Sequence, residues 1–290
     1  MAAAPGDLTF VTTCKGRLSH LQQSLPRMCA QPGARVVVVD YNCPDGTAAW
    51  VRANAPNVTV VCEEQDTGWS ASRARNMGAA AVTTPWLMLV DADILLAEDF
   101  SARIMPTLDP SCFYCADPQT PQNWGTVICP RERFMQAGGY DEIYRGWGSE
   151  DDDLYEMLEW NGARRGGFPA DLLVEVDHSD EVRNRFHKVS ITTAHRINQT
   201  YRRIKFDIMA IMRDQIIPEE RRNLYEQVTR AVARLERGTQ NEVELEMHLP
   251  PILSKPPRDI DMMVEGVTRL SRTLKYSLAR GRVVPKPRES

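Results

Sequence analysis

Apolar runs and helical periodicities alternate along the first third of the chain. Strands are predicted at 8–14, 35–40, 58–62 and 86–90. The second and fourth of these are nearly continuous apolar runs, which are typical of central strands covered on both faces. Helical spacing over 18–28 and the alanine-rich stretch 70–81 predict intervening helices. The alternation predicts an α/β domain with a mainly parallel central sheet.

The pattern is less regular between residues 127 and 176 and then becomes helical. Strands are predicted at 127–130, 164–168 and 172–176, and helices at 131–137 and from 150 onwards. Beyond residue 189, apolar stripes at helical spacing cover 197–211, 224–235 and 263–278. We therefore predict an α/β domain over 1–188, a helical C-terminal region over 189–280 and a disordered tail over 281–290.

Composition then narrows the class of protein. The chain has 290 residues, 42% of them hydrophobic, and a net charge of −4. These values are ordinary for a soluble globular protein and do not favour a nucleic-acid binder, which usually has a basic domain. The sequence shows neither a signal-peptide pattern nor an apolar run of membrane-spanning length.

Cysteine usage and the basic C-terminal region bear on localisation. The 7 cysteines are an odd number, which together with the missing signal peptide predicts reduced thiols in the cytoplasm. The spacing of Cys112 and Cys115 within a predicted strand indicates core thiols rather than a zinc or redox site. Basic residues accompany the last predicted helix, so contact with an anionic membrane surface or with another subunit is an alternative to core packing.

Candidate chemistry begins with Asp91-Ala92-Asp93, directly after the strand 86–90. Open α/β sheets bind ligands beyond the carboxyl ends of their strands, so both carboxylates are expected at the binding edge. Carboxylate oxygens suit Mn²⁺ or Mg²⁺, whereas a turn or a helix N-cap is the alternative interpretation. Asp40 ends the strand 35–40 and either contacts a nucleoside or caps the turn at Asn42. No Gly-rich dinucleotide or Walker A sequence is present.

A second acidic motif is Gly146-Trp-Gly-Ser-Glu-Asp-Asp-Asp153. Acids at the start of a helix are stabilised by the macrodipole and the unpaired N–H groups, and this alone could explain them. It explains Trp147 less well, since an aromatic side chain between two glycines can present a flat face to a sugar ring. Downstream, His178 lies in Asp-His-Ser-Asp near Glu175, which favours metal ligation over a surface role, with His187 as the second candidate.

Together these motifs resemble glycosyltransferases of the GT-A, or nucleotide-diphospho-sugar transferase, fold. Thr12-Thr13, Asp40, Ser72-Arg-Ala-Arg-Asn76 and Asp91-Ala-Asp93 are similar to the nucleotide-sugar half of glycosyltransferase family 2. Gly139-Tyr-Asp-Glu, the Trp147 motif and the His178 segment resemble β-1,4-galactosyltransferases and related bacterial glycan polymerases. The resemblance covers roughly residues 7–187 and leaves the C-terminal third unmatched.

The resemblance implies a role for each matching residue. Thr12, Asp40, Arg75, Asn76, Asp91 and Asp93 would bind the UDP-sugar donor; Trp147, Glu150 and Asp152 would bind the sugar and the acceptor; Asp151 would be the catalytic base; Asp93 and His178 would ligate Mn²⁺ or Mg²⁺. Glu175 stands where animal galactosyltransferases carry a metal-proximal Met, so a hard oxygen ligand could shift the preference towards Mg²⁺.

The implied reaction is an inverting transfer of a hexose or N-acetylhexosamine to an acceptor hydroxyl. A divalent ion would stabilise the charge on the leaving nucleotide, while a carboxylate on the opposite face of the sugar removes the acceptor proton. Asp151, at a helix N-terminus, is expected to stay ionised and so to suit a base. The galactose series is preferred by resemblance alone. The alternatives are a nucleotidyltransferase that forms sugar nucleotides and a non-catalytic carbohydrate-binding or scaffold protein.

Overall fold

A computed structural model describes residues 6–176, 186, 189–238, 242–249, 272–279 and 282–285. The chain divides into two compact units, residues 1–191 and 192–290. His178 and His187 lie outside the described residues, so the structure does not bear on their predicted roles as metal ligands.

A seven-stranded sheet forms the centre of the first unit. Its strands are β1 (Leu8–Cys14), β2 (Arg35–Tyr41), β3 (Thr59–Glu63), β4 (Trp86–Leu89), β6 (Cys112–Asp117), β7 (Val127–Pro130) and β8 (Arg164–Pro169). Their order is β3-β2-β1-β4-β7-β6-β8. The first four in this order run parallel, β7 is antiparallel to both neighbours, and β8 is parallel to β6. The predicted α/β class with a mainly parallel sheet is confirmed.

Helices connect the strands much as the sequence predicts. They are α1 (Leu18–Cys29), α2 (Thr47–Asn54), α3 (Ala71–Ala80), α4 (Phe100–Ile104), α5 (Arg131–Gln136) and α6 (Glu150–Trp160). The apolar stripe of α1 is buried because Leu21, Leu25 and Met28 join Phe10 and Met88 of the sheet in one core cluster. Burial of this face is the main stabilising contribution from the helix.

Helix α3 lies unusually close to the sheet. A Cβ atom at Gly78 would stand only 2.4 Å from Val11 Cγ1 and 2.9 Å from Val39 Cγ2. Glycine is therefore required for this approach. The same helix carries Arg75 one turn earlier, so the close packing determines how near the Arg75 side chain comes to the carboxyl ends of the strands.

A small two-stranded sheet follows the Asp91-Ala-Asp93 segment. Strand β5 (Ile94–Leu96) pairs antiparallel with β9 (Leu173–Glu175), and Ile94 is opposite Glu175. The next amide, Val176 N–H, donates to the Asp93 carbonyl oxygen at 2.8 Å. Val176 therefore lies directly beside Asp93.

The second unit combines two helices with a sheet. Helices α7 (Ile191–Met212) and α8 (Pro218–Glu236) bury the apolar stripes predicted for them. Strands β10 (Glu242–Leu249), β11 (Arg272–Ala279) and β12 (Arg282–Pro285) form an antiparallel sheet in that order. The predicted last helix is therefore wrong over 272–279, and the predicted disorder is wrong over 282–285. Within the described part of the chain, no helix has the length and apolar character of a membrane span.

Candidate active site

One arginine joins the two acidic motifs. Arg75 Nη2 lies 3.0 Å from Asp91 Oδ1, and its Nη1 lies 2.9 Å from Asp151 Oδ1. Nη1 also approaches Glu150 Oε1 at 3.7 Å. The segment after β4 and the start of α6 therefore meet at one guanidinium. We call Arg75, Asp91, Tyr140, Glu150 and Asp151 the Arg75 cluster.

The Arg75 side chain is buried and closely enclosed. Only 8% of it is exposed, and its guanidinium lies 5.2 Å from the centre of the Tyr140 ring. A Cβ atom at Gly125 would come within 2.6 Å of Nη2, so the guanidinium occupies space that any larger residue would take. Although burial opposes the charged form, Asp151 and its acidic neighbours hold the pKa of Arg75 well above its usual value.

One oxygen of the Asp151 carboxylate accepts two hydrogen bonds. Oδ1 accepts from Arg75 Nη1 and from the Tyr140 hydroxyl, each at 2.9 Å. Oδ2 points towards Gly125, where a Cβ atom would be 3.3 Å away. Burial, with the charge of Asp151, keeps the pKa of Tyr140 well above its usual value, so Tyr140 remains a donor to Asp151 at neutral pH.

Burial also changes the proton affinity of the two acids that begin α6. It raises the pKa of Asp151 above the usual value for aspartate, and the Arg75 guanidinium opposes this rise. Burial and the neighbouring charge of Asp151 raise the pKa of Glu150 to about 7. The helix end alone favours an ionised Asp151. The structure adds burial, which acts in the other direction, and an ion pair that favours the ionised form.

The loop before α6 has a backbone that positions Trp147 at the surface. Gly146, Gly148 and Ser149 have φ angles of 77°, 91° and 74°, which is the left-handed region. Glycine adopts this region readily, whereas it is uncommon for serine, and such outliers often occur at functional sites. The loop leaves the Trp147 side chain 38% exposed.

Trp124 is a site residue that the sequence reasoning missed. Its indole N–H donates to Asp152 Oδ1 at 3.0 Å, and its carbonyl accepts from the Tyr155 hydroxyl. The residue is 39% exposed, so an aromatic surface lies beside the acids of α6. The signal was present in the sequence, because Trp124, like Trp147, directly precedes a glycine.

Asp93 lies at the same sheet edge and pairs with a different arginine. Its Oδ2 is 2.7 Å from Arg17 Nη1. Glu175, opposite Ile94 in the small sheet, accepts from the Thr120 hydroxyl at 3.1 Å. Within the described ranges, no group of three His, Cys, Asp or Glu side chains is close enough to hold a metal ion. Asp93 and Glu175 each carry carboxylate oxygens, which are the ligand type that Mn²⁺ and Mg²⁺ prefer.

Two predicted donor-binding residues hold parts of the backbone, and a third is buried. Asp40 accepts from the backbone N–H groups of Cys43 and Ala48, both at 2.7 Å, so it caps the turn and the start of α2. Thr12 is fully buried in β1. The Asn76 amide bonds to both backbone groups of Tyr140 and to Glu142, and so holds the 140–142 segment. Arg75, also predicted to bind the donor, contacts the carboxylates of Asp91 and Asp151.

Two family models match consecutive parts of the chain. Glycosyl transferase family 2 matches residues 9–143, and the N-terminal domain of galactosyltransferase matches residues 119–196. Solved structures with the same fold include a mannosyltransferase, PcManGT from Pyrobaculum calidifontis, in complex with GDP-Man and Mn2+. Its TM-score is 0.52 at 17% identity, covering 82% of this chain and 79% of that chain. The chain is a glycosyltransferase of the GT-A fold.

Further structures share the fold of this glycosyltransferase at low sequence identity. S. aureus TarS 1-349 in complex with UDP-GlcNAc has a TM-score of 0.55 at 13% identity, covering 80% of this chain and 76% of that chain. GalNAc-T7 with UDP, GalNAc and Mn2+ has a TM-score of 0.58 at 13% identity, covering 98% of this chain and 68% of that chain.

The two family matches meet at the Arg75 cluster of the glycosyltransferase. Arg75 and Asp91 lie in the range of the first match alone, whereas Glu150 and Asp151 lie in the range of the second alone. Tyr140 belongs to the overlap of both. The family matches do not favour the nucleotidyltransferase or scaffold interpretations that the sequence left open.

Proposed function

We propose that this glycosyltransferase moves a hexose or N-acetylhexosamine from a UDP-sugar to an acceptor hydroxyl, with inversion at the anomeric carbon and with a divalent cation. The observation that carries the proposal is the pair of contacts from Arg75 to Asp91 and to Asp151. A donor-binding edge and a candidate base then share one site, as a displacement reaction between donor and acceptor requires.

Asp151 is the proposed general base. Arg75 and Tyr140 fix its Oδ1 from two directions, which leaves Oδ2 to accept the proton of the attacking hydroxyl. The raised pKa of Asp151 makes the carboxylate a stronger base, and the ion pair with Arg75 favours its ionised form. Arg75 and Tyr140 are therefore positioning residues, and a single base on the face opposite the leaving group gives inversion.

Asp93, Glu175 and His178 are the residues that would hold Mn²⁺ or Mg²⁺. When bound, the cation supplies positive charge to the leaving diphosphate. The Mn2+ present in the PcManGT and GalNAc-T7 structures supports this part of the proposal. Asp93 would exchange its contact with Arg17 for the cation, which frees the Arg17 guanidinium for the diphosphate.

The sugar and the acceptor are proposed to bind between Trp124, Trp147 and the start of α6. Trp147 offers an aromatic face to the sugar ring, and the Glu150 carboxyl group can contact sugar hydroxyl groups. Asp152 offers a carboxylate that is already fixed by Trp124. UDP is proposed because the TarS and GalNAc-T7 structures contain UDP-GlcNAc and UDP. The galactose series follows from the match to the N-terminal domain of galactosyltransferase.

A donor screen tests the proposal. The protein is incubated with UDP-galactose, UDP-N-acetylgalactosamine, UDP-glucose, UDP-N-acetylglucosamine and GDP-mannose, each with Mn²⁺, with Mg²⁺ or with a chelator. We expect nucleotide release from a UDP-galactose-series donor that depends on the cation. Mass spectrometry of the products with a panel of glycan acceptors identifies the transfer, and NMR gives the anomeric configuration. Release that is unaffected by the chelator, or a product with retained configuration, contradicts the proposal.

A further inference from the structure

One side chain binds both backbone polar groups of Tyr140. The Tyr140 N–H group donates to Asn76 Oδ1, and Asn76 Nδ2 donates to the Tyr140 carbonyl oxygen, both at 2.9 Å. Nδ2 also donates to Glu142 Oε1 at 2.9 Å. Tyr140 is buried, so its backbone groups have to be paired inside the protein. The Asn76 amide therefore does for Tyr140 what a neighbouring strand does for a residue in a sheet.

The backbone before Tyr140 comes very close to this amide. Gly138 and Gly139 follow helix α5 with φ angles of 84° and 67°, which lie in the left-handed region. A Cβ atom at Gly139 would stand 2.6 Å from Asn76 Oδ1 and 3.1 Å from Phe134 Cε1, whereas a Cβ atom at Gly138 would meet no atom within 4 Å. The two glycines share a backbone conformation, but only Gly139 is needed for the contact with Asn76.

Helix α3 reaches the Asp151 carboxylate by two routes. Arg75 Nη1 donates directly to Asp151 Oδ1, and the Tyr140 hydroxyl donates to the same oxygen, both at 2.9 Å. Asn76 is the next residue of α3 after Arg75 and holds Tyr140 by its backbone. The same helix therefore determines where Oδ1 lies, and with it the direction in which Oδ2 points.

We propose that Asn76 is a positioning residue for Asp151 and that it acts through the hydroxyl group of Tyr140. Without the Asn76 amide, two buried backbone groups of Tyr140 lose their partners and can be paired again only if the segment moves. Movement of the Tyr140 hydroxyl weakens one of the two bonds to Oδ1, so the carboxylate can turn about its bond to Cβ. The consequence for catalysis rests on the proposed role of Asp151 as the general base, whereas the link from Asn76 to Asp151 does not.

The hydrogen bond from Tyr140 also affects the proton affinity of Asp151. Burial raises the pKa of Asp151, whereas the charge of Arg75 and the bond from Tyr140 lower it. Loss of the Tyr140 bond should therefore raise this pKa further. A general base acts only in its ionised form. The decline of kcat towards low pH, the acid limb of the pH profile, should consequently begin at a higher pH in an Asn76 variant.

The other groups that face Asp151 are the same in every Asn76 variant. The charged ones are Arg75 of α3, Asp91 after β4, and Glu150 and Asp152 of α6. The remaining ones have raised pKa values and are neutral at neutral pH: Cys115, Tyr140 and Tyr155. A displaced acid limb in an Asn76 variant therefore reports the change in the Tyr140 bond.

The test is a double-mutant cycle in the full chain, with Asn76→Leu, Tyr140→Phe and the combined variant. Leucine is similar in size to asparagine but has no hydrogen-bonding group, and phenylalanine lacks only the hydroxyl. We expect Asn76→Leu to lower kcat by up to about 100-fold, the cost of a small misplacement in a reaction centre, with a much smaller change in KM. It should also move the acid limb to higher pH. In the Tyr140→Phe background, Asn76→Leu should have little further effect on either quantity.

The adjacent glycines provide a second test that leaves Asn76 unchanged and decides the matter if Asn76→Leu does not fold. Gly139→Ala places a methyl group against Asn76 Oδ1, so it should lower kcat and move the acid limb in the same direction as Asn76→Leu. Gly138→Ala is the matched control, because it imposes a comparable backbone strain in open space. It should leave both quantities unchanged.

Two results would overturn the proposal: equal effects of Asn76→Leu in the two backgrounds, or equal effects of the two glycine variants. Failure of the proposed function looks different, because Asp151→Asn would then retain its turnover. The link is in that case measured from the free energy of unfolding against pH, with each protein compared to its Asp151→Asn counterpart. Stability from the raised pKa of Asp151 is present at low pH and is lost as the pH rises. In Asn76→Leu this loss should extend to higher pH, and an unchanged pH range would exclude the link.

Discussion

Asp40 and Asp91 both follow buried parallel strands, yet the structure uses them differently. Asp40 directs its two oxygens to backbone N–H groups of the next few residues, Cys43 and Ala48. Asp91 instead pairs with Arg75, which comes from another helix and also binds Asp151. The first carboxylate stabilises its own turn. The second carboxylate belongs to a tertiary cluster that joins Asp91 to Asp151, 60 residues further along the sequence.

The difference teaches how to separate a structural aspartate from a functional one at the same position of the fold. A cap is satisfied locally, so its contacts could be anticipated from the turn sequence alone. A site carboxylate depends on partners that only the tertiary structure supplies, and it retains an oxygen or an exposed edge for a ligand. Asp91 is 34% exposed at its side chain, consistent with the second kind.

The largest expected effect is on turnover. Asp151→Asn removes the proposed base but keeps the shape of the side chain, so we expect turnover to fall by about two to four orders of magnitude while donor affinity changes little. Steady-state kinetics and calorimetric titration with the UDP-sugar measure the two quantities. Asp171→Asn, at an exposed aspartate, is the matched control. Turnover within tenfold of the unmodified protein would remove Asp151 from the role of base.

The second largest expected effect is on stability, and it comes from the positively charged side chain of the Arg75 cluster. Arg75→Met leaves Asp91, Glu150 and Asp151 without their buried positive partner, and loss of one member of a buried pair costs about 3–5 kcal/mol. Chemical denaturation should show this decrease in the free energy of unfolding. Arg73→Met, on the same helix but half exposed, is the control and should cost less. Equal losses in the two variants would mean that the Arg75 cluster is not a buried ion-pair network.

A smaller loss of stability is expected at the cap. Asp40→Ala deprives two backbone N–H groups of their acceptor, and removal of such a cap costs about 1–2 kcal/mol. Asp45→Ala is the control from the same turn, because Asp45 accepts a longer bond, 3.4 Å from Leu18 N–H. A variant Asp40→Ala with unchanged stability but much weaker UDP binding would reverse the comparison and make Asp40 a ligand-binding residue.

The smallest expected effect is a pH-dependent difference in stability that comes from Glu150. Its folded pKa of about 7 lies above the ordinary value of 4.5, so the folded state favours the protonated form. The stability from this preference is fully present below pH 4.5 and is lost as the pH rises through 7. Glu150→Gln cannot titrate. Its melting temperature relative to the native protein should therefore increase between pH 5 and pH 8, with the exposed Glu159→Gln as control. A constant difference would contradict the raised pKa.

Sequence patterns gave most of the first unit because its strands and helices follow simple rules. Two examples are the apolar run 86–90 and the apolar stripe of α1. Each follows a single periodicity, and each pattern is compatible with only one environment in the fold. The C-terminal strands failed for the opposite reason. Leu274 and Leu278 are four residues apart, a spacing that puts both on one face of a helix and equally on one face of a strand. Tyr276 and Leu278 are both buried and lie two residues apart, and this two-residue spacing is the signal for a strand.

The sequence predicted many of the residues of the candidate site, but it did not predict the contacts between them. The acids of both motifs were identified because they follow a buried strand or begin a helix. Arg75 was predicted to bind the donor, because no local pattern shows that α3 aims its guanidinium at the carboxylates that follow β4 and begin α6. Trp124 was missed for the same reason: its value as a site residue comes from Asp152, which is 28 positions away in the chain.

Gly78 has a consequence that reaches beyond local packing. Its missing side chain lets α3 lie almost against Val11 and Val39, so the helix axis is lowered onto the sheet by about the thickness of one methyl group. The reach of an arginine is fixed, and this depth brings both acidic motifs within its span. A single absent carbon atom thus helps to bring the two acidic motifs to one guanidinium.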